Sequence, residues 1–248
     1  MLEVKSQAYY WLHTWIHAHV IELGTQRFCE RFLGFKQDPC GRMTDQMVQA
    51  ARSGQANITE GSARRITSRE TEMKLTDVAR ASLCELEGDY FNFLMKRNQI
   101  PWGKNTAEFQ AVNNIVWDKP NFGTDWAQDA CQHILSQKAK FDTWIEHGTE
   151  IEAANCLLIL TRGLIAMLNK QLTHLLEDFK LNGGFSENLT ELRLAQKQQE
   201  ALNSNAPLCP ICNKPMIKRM AKKGLNVGKA FWSCSDFPNC HGTRKFEG

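Results

Sequence analysis

Cys209 and Cys212 bracket Pro210-Ile211, and after twenty-one further residues Cys234 and Cys240 follow, with five residues between them. A Cys-x-x-Cys turn sets two thiolates on one side of a small ion, and a second pair closes a tetrahedron. Thiolate is a soft ligand that suits zinc, with bonds of about 2.3 Å. The first pair has the usual spacing; the second is wider than the common two to four residues. Two disulfides or four unrelated thiols are the competing readings. His241, next to Cys240, is the one residue placed to substitute as a ligand. The 42 residues from Pro207 to Gly248 are too few to fold readily on a hydrophobic core alone. A structural zinc supplies about 10–16 kcal/mol of binding energy that doubles as folding energy. One structural Zn2+ held by Cys209, Cys212, Cys234 and Cys240 is therefore expected.

Around those ligands the residues are cationic and aromatic. Residues 207–248 carry eight Lys or Arg against Asp236 and Glu247, a net charge of +6, which leaves −3 on the first 206 residues of a chain whose total is +3. Single-stranded nucleic acid is held by aromatic faces that stack on bases and by cations that follow the phosphates. The residues expected to do this are Lys218, Arg219, Lys222, Lys223, Lys229, Phe231, Trp232, Phe237, Arg244 and Lys245. The competing reading makes the three aromatics the small core of the module, with Trp232 packed on the metal knuckle.

Those residues need a frame, and periodicity supplies it. Extended segments at Met216 to Met220 and Lys229 to Cys234, with a turn near Gly224 to Gly228, outline a β zinc ribbon at 207–248. Upstream, apolar residues recur every three or four positions. The first stripe is Leu12, Ile16, Val20 and Leu23; a third is Leu75, Ala79, Leu83, Leu86, Tyr90 and Phe93. The last is Ile151, Ala154, Leu158, Ile165, Leu168, Leu172, Leu175 and Phe179. A second helix is expected from Thr44 or Asp45 to a C-cap at Gly61, and Thr67 and Glu70 predict a capping box for the third. Thr149 and Glu152 predict another. The predicted fold is an all-α antiparallel four-helix bundle over 1–182, followed by a polar, partly helical linker at 183–206. An insert at 104–148 carries helices near Ala107 to Trp117 and Asp125 to Glu146.

The composition excludes several classes. No secretory leader is recognisable at Met1 to Gln7, and the nine cysteines do not form a secreted framework. A cytoplasmic location is expected, with Cys29, Cys40, Cys84, Cys131 and Cys156 as reduced packing residues. Cys156 to Leu168 is apolar but short and contains Arg162, which reads as a buried helix and gives no membrane partner. Arg52, Arg64, Arg65 and Arg69 are expected to pair with Glu60, Glu70 and Glu72. No catalytic motif is visible, and the tyrosines are only Tyr9, Tyr10 and Tyr90, so an enzyme is not expected.

Two stretches resemble known families. Gln49 to Gly61, with its Ser53-x-x-x-Asn57-Ile58-x-Glu60-Gly61 run, and Ala81 to Glu87 resemble the bacterial four-helix-bundle proteins encoded in 23S ribosomal RNA intervening sequences. That family includes the accessory protein of diversity-generating retroelements. The resemblance implies a homo-oligomer, a pentamer, and a reverse transcriptase as a possible partner. Cys209-Pro210-x-Cys212, Met216, Arg219, Phe231-Trp232-Ser233-Cys234-Ser235-x-Phe237-Pro238-x-Cys240 and Thr243 resemble the C4 zinc finger appended to bacterial type I topoisomerases. It implies a single-strand-holding module that does not cleave. Asn213 stands where such fingers carry Gly, and the Ala221 to Lys229 connection is longer than usual. The combined expectation is a non-enzymatic DNA- or RNA-binding protein. A protein-binding adaptor that docks a nucleic-acid enzyme is the alternative.

Overall fold

The computed structural model describes residues 8–182 except 66, then 193, 194, 196 and 199, then 206–222 and 226–246. The chain divides into two compact units, Met1–Gly184 and Phe185–Gly248. The first is helical and the second carries a three-stranded sheet. Most of the expected linker at 183–206 lies outside the described residues; Arg193, Leu194, Gln196 and Gln199 are helical.

In the helical unit a 3-10 turn, Ala8–Trp11, leads into α1, His13–Phe32. The other long helices are α2, Arg42–Arg64, α3, Arg69–Met95, and α7, Glu150–Asn182. Helix α1 packs on α2 and α7, and α3 packs on the same two. The reason is apolar periodicity: Ala79, Leu83, Leu86, Tyr90 and Phe93 of the α3 stripe are all buried. Phe28 of α1 meets Tyr90 and Phe93 edge to face, with centroids 5.3 and 4.9 Å away. Each such fully buried side chain contributes about 1.5–3 kcal/mol. The Tyr90 hydroxyl would be costly there without a partner, and it donates to Thr25 Oγ1 at 2.9 Å.

Helix boundaries shift from those expected. Helix α2 begins at Arg42, not at Thr44 or Asp45, because Asp38 Oδ2 reaches forward to accept the Thr44 N–H at 2.9 Å. Gly61 does not stop α2. It is buried inside the helix, where a Cβ would lie 3.2 Å from Leu75 Cβ; its role is to let α2 and α3 approach. The N-cap of α3 is Ser68, which accepts from Thr71 N at 3.2 Å, one residue later than the expected Thr67. At α7 the predicted capping box forms: Thr149 N donates to Glu152 Oε2 at 2.7 Å and Glu152 N to Thr149 Oγ1 at 3.3 Å.

The insert is more broken than expected. It forms α4, Ala107–Asn113, α5, Trp126–Ala139, and the single turn α6, Asp142–Ile145. The chain breaks at Lys140 and Phe141 because the Phe141 side chain is fully buried. The insert covers two of the long helices: α4 and α6 pack on α7, and α5 and α6 on α1. That cover explains why Ala153 through Thr161 are buried on every side of α7. Polar links pin it in place. Arg27 of α1 pairs with Glu146 at 2.6 Å, and Asn155 Oδ1 accepts the Trp102 N–H at 2.8 Å. Helix α7 is long and apolar enough to cross a membrane, yet 61% of its most apolar window is buried in this unit.

Two other expectations change. Cys29 and Cys156 are buried, but Cys40, Cys84 and Cys131 are exposed and do not pack. Of the arginines at the α2–α3 junction, Arg64 lies 4.0 Å from Glu60, whereas Arg69 pairs with Asp178 of α7. Glu70 pairs with Lys74.

In the second unit the strands are β1, Met216–Met220, β2, Ala230–Cys234, and β3, Thr243–Lys245. They run antiparallel in the order β1-β2-β3. The first two lie at the expected positions; β3 was not expected, because three exposed polar residues carry no strand signal. The longer connection closes with Ala221 N–H to Lys229 O and Gly228 N–H to Ala221 O, both 3.0 Å.

Candidate metal centre and nucleic-acid interface

Each cysteine pair sits on a tight turn. In the first, Cys209 N–H donates to Lys214 O at 2.8 Å, and Asn213 N–H returns to Cys209 O at 3.0 Å. Closing that turn puts Asn213 at φ +58°, a left-handed conformation that Asn tolerates better than any other side-chain-bearing residue except Asp. This is the physical reason Asn can stand where related fingers use Gly. In the second pair Phe237 N–H donates to Cys234 O and Cys240 N–H to Asp236 O. The Asp236 N–H points at Cys234 Sγ, 3.4 Å away.

The four Sγ atoms lie within 4.8 Å of one another. Cys209 and Cys240 are 3.7 Å apart, and Cys212 and Cys234 3.3 Å. A tetrahedral ion with bonds of about 2.3 Å needs sulfurs about 3.8 Å apart. The donor set and its spacing therefore fit one structural zinc ion, and the wide Cys234–Cys240 interval does not disturb it. Cys209, Cys234 and Cys240 are buried and Cys212 is half-buried, which leaves no open coordination position. His241 is exposed and lies edge-on to Phe237 at 5.4 Å, outside the ligand set.

The thiols are prepared unequally. The Cys212 backbone N–H, with help from that of Ile211, holds Cys209 down to about 7 against burial. Burial pushes Cys234 up to about 12. A divalent cation makes four thiolates compatible with that enclosed space. Gly242 completes it. A Cβ there would stand 2.2 Å from Cys209 Sγ, so no side chain fits. Its carbonyl also accepts the Cys234 N–H at 2.9 Å.

The sheet sorts the cations and aromatics into two rows. On one face Lys218 of β1 lies opposite Trp232 of β2, which lies opposite Arg244 of β3. One residue along, on the other face, Arg219, Phe231 and Lys245 form the same sequence. Lys218, Arg244 and Lys245 are exposed; Arg219, Phe231 and Trp232 are half-buried. Trp232 packs on the cysteine cluster and on Phe246, 5.5 Å between centroids. Lys218 Nζ lies 3.8 Å from the Phe246 ring centre. Phe237 is exposed, with the Arg219 guanidinium 5.3 Å from its centroid. Lys222 and Lys229 are exposed, and Lys223 lies outside the described residues.

Sequence reasoning missed three participants. Among the described residues of this unit, Lys214 alone forms an ion pair, to Asp236 at 2.9 Å, so it is withdrawn from the cationic surface. Phe246 joins the Trp232 row; its place two residues after Arg244, on the same strand face, was the available signal. Gly242 showed no signal, because its role depends on where Cys209 folds.

Residues 207–248 match a family model described as the topoisomerase DNA-binding C4 zinc finger. No curated protein and no solved structure matches the chain. The matched segment, 207–248, holds all four metal ligands and both rows of cations and aromatics, so this part of the second unit is similar to the topoisomerase-type C4 zinc finger, a kind of domain whose description carries DNA binding.

Proposed function

We propose that this chain is a non-enzymatic nucleic-acid-binding protein whose helical unit oligomerises and presents several C4 zinc fingers to single-stranded DNA or RNA. The observation that carries the reading is the pair of cation–aromatic–cation rows across the sheet, Lys218–Trp232–Arg244 and Arg219–Phe231–Lys245. A single strand needs a π-face for each base and a cation for each phosphate, and each stack contributes about 1–3 kcal/mol. Duplex DNA hides its base faces, so the same surface favours unpaired strands. Exposed Phe237 extends the stacking surface beside Arg219.

The antiparallel four-helix bundle, and its kinship with the ribosomal intervening-sequence and retroelement proteins, belong to this proposal. The mutual packing of α1, α2, α3 and α7 supports the bundle. Exposed Phe91 and Met95, one turn apart on α3, support an oligomer. Linking weak fingers in one particle raises their joint affinity without new contacts. The non-enzymatic reading is supported by Tyr90, which is fully buried and bonded to Thr25 and so offers no nucleophile.

The test is an electrophoretic mobility assay on the full chain and on a truncation ending at Asn205, with single- and double-stranded DNA and RNA. Retardation of single strands that needs the finger supports the proposal. The affinity should fall with salt at about −0.7 in log–log slope per phosphate engaged. Equal retention of both proteins, or salt-independent retention, rejects it.

One observation favours a second reading, an adaptor that docks a polymerase or reverse transcriptase. Ile211, Val227 and Met220 are apolar and more than half exposed in the finger. Co-purification of a protein partner that survives nuclease treatment and is lost on Ile211→Asp would support it.

A further inference from the structure

The helical unit contains a cavity of about 420 Å³. Its apolar walls include Leu12 and Leu175, from the start of α1 and the last part of α7. Glu72, in the first turn of α3, lines it and is only 4% exposed. Its Oε2 is buried without a hydrogen-bond partner among the described residues. Burial raises the Glu72 pKa above the ordinary carboxylate value, and the nearby charges of Arg65 and Arg69 offset this only in part; Arg69 is engaged by Asp178. A buried carboxylate oxygen with no donor is costly, by several kcal/mol in general, unless something supplies one.

The opposite charge lies at the mouth. Lys170 and Arg65 are exposed lining residues. Thr14 on the wall spends its hydroxyl proton on Gln171 Oε1 at 3.4 Å. A buried anion, apolar walls and exposed cations at the rim match a molecule with an ammonium, an apolar body and a carboxylate. The volume lies within the range of small-molecule sites.

We infer that this cavity is a binding site for a small zwitterion of the free amino-acid class, its ammonium donating to Glu72 and its carboxylate meeting Lys170 and Arg65. The site is independent of the nucleic-acid reading, because every residue it uses belongs to the helical unit. The apolar body lies against Leu12 and Leu175, so a branched aliphatic side chain is favoured over a charged one.

The test uses the full chain with its zinc. Calorimetric titration compares L-leucine with isoamylamine, which lacks the carboxylate, and 4-methylpentanoate, which lacks the ammonium. Leucine is expected to bind at least about tenfold more tightly than either, since each loses one charge-assisted contact. Glu72→Gln should weaken leucine by a similar factor, while raising the melting temperature of the ligand-free protein by removing a buried unpaired charge. Lys170→Ala should weaken leucine but leave isoamylamine unchanged. Binding of isoamylamine as tightly as leucine overturns the zwitterion assignment. Failure of all three compounds to bind, or a lower melting temperature for unliganded Glu72→Gln, overturns the site itself, the first because a water alone then satisfies Glu72.

Discussion

Single atoms decide the chemistry of the finger. Gly242 is the sharpest case: a methyl group would overlap Cys209 Sγ, so Gly242→Ala should lose stoichiometric zinc, read by mass spectrometry of the native protein, as completely as Cys209→Ser. Asn213 is milder. Its positive φ costs a β-branched residue about 1–2 kcal/mol, so Asn213→Val should weaken zinc retention against a competing chelator while Asn213→Gly leaves it unchanged. In the helical unit His17 is half-buried and stacks on Trp117 at 3.5 Å. Burial, with His13 adding to it, lowers its pKa to about 3 from the ordinary 6.5. The folded state holds it neutral, so its contribution is intact above pH 6.5 and is lost as pH falls toward 3. His17→Phe should flatten the loss of unfolding free energy between pH 6.5 and 4, measured by urea titration at a series of pH values.

At the scale of elements, strand pairing turns a scatter of basic residues into a surface. Lys218 and Arg244 are 26 positions apart in the chain and become neighbours across Trp232 only when β1, β2 and β3 pair. The two rows occupy opposite faces, so their contributions can be separated. Phe231→Ala with Lys245→Ala removes one row, and Arg244→Ala with Lys218→Ala thins the other. The face that binds the strand should lose at least about tenfold in single-strand affinity and about 0.7 of salt slope per cation removed, and the opposite face little. Trp232 is unsuited to this dissection, because it packs on the ligand cysteines and its removal destabilises the metal centre. Among the helices, the α2–α3 contact rests on Gly61. Gly61→Leu should force Leu75 and the Glu72 backbone apart and lower the melting temperature of the helical unit, whereas the same change at exposed Ala63 should not.

For the whole molecule, the two units have different sources of stability. The helical unit buries a large aromatic and aliphatic core. The finger buries only three cysteines and Met216, with Cys212 half-buried against them, so the ion must replace the core it lacks. Chelation should therefore abolish the dispersed amide resonances of residues 207–246 in a heteronuclear spectrum and leave those of the helices in place. Restoring zinc should bring the finger back. Loss of the helical resonances on chelation would show that the two units fold as one.

Periodicity and ligand spacing alone located the long helices, the first two strands and the four metal ligands, because these signals are local. A stripe every three or four residues, or two thiols three positions apart, can be read without knowing the fold. The Thr149–Glu152 capping box was legible for the same reason. What required tertiary structure was every feature whose cause lies far along the chain. Gly61 looked like a helix end until α3 came to lie against it. Glu72 looked like a salt-bridge partner until Asp178 of α7 drew Arg69 away from it. β3 and Gly242 were invisible because one forms only against β2 and the other is constrained only by Cys209. Local sequence sets which elements form; which atoms then crowd, pair or stand unpartnered is decided by packing between segments distant in the chain.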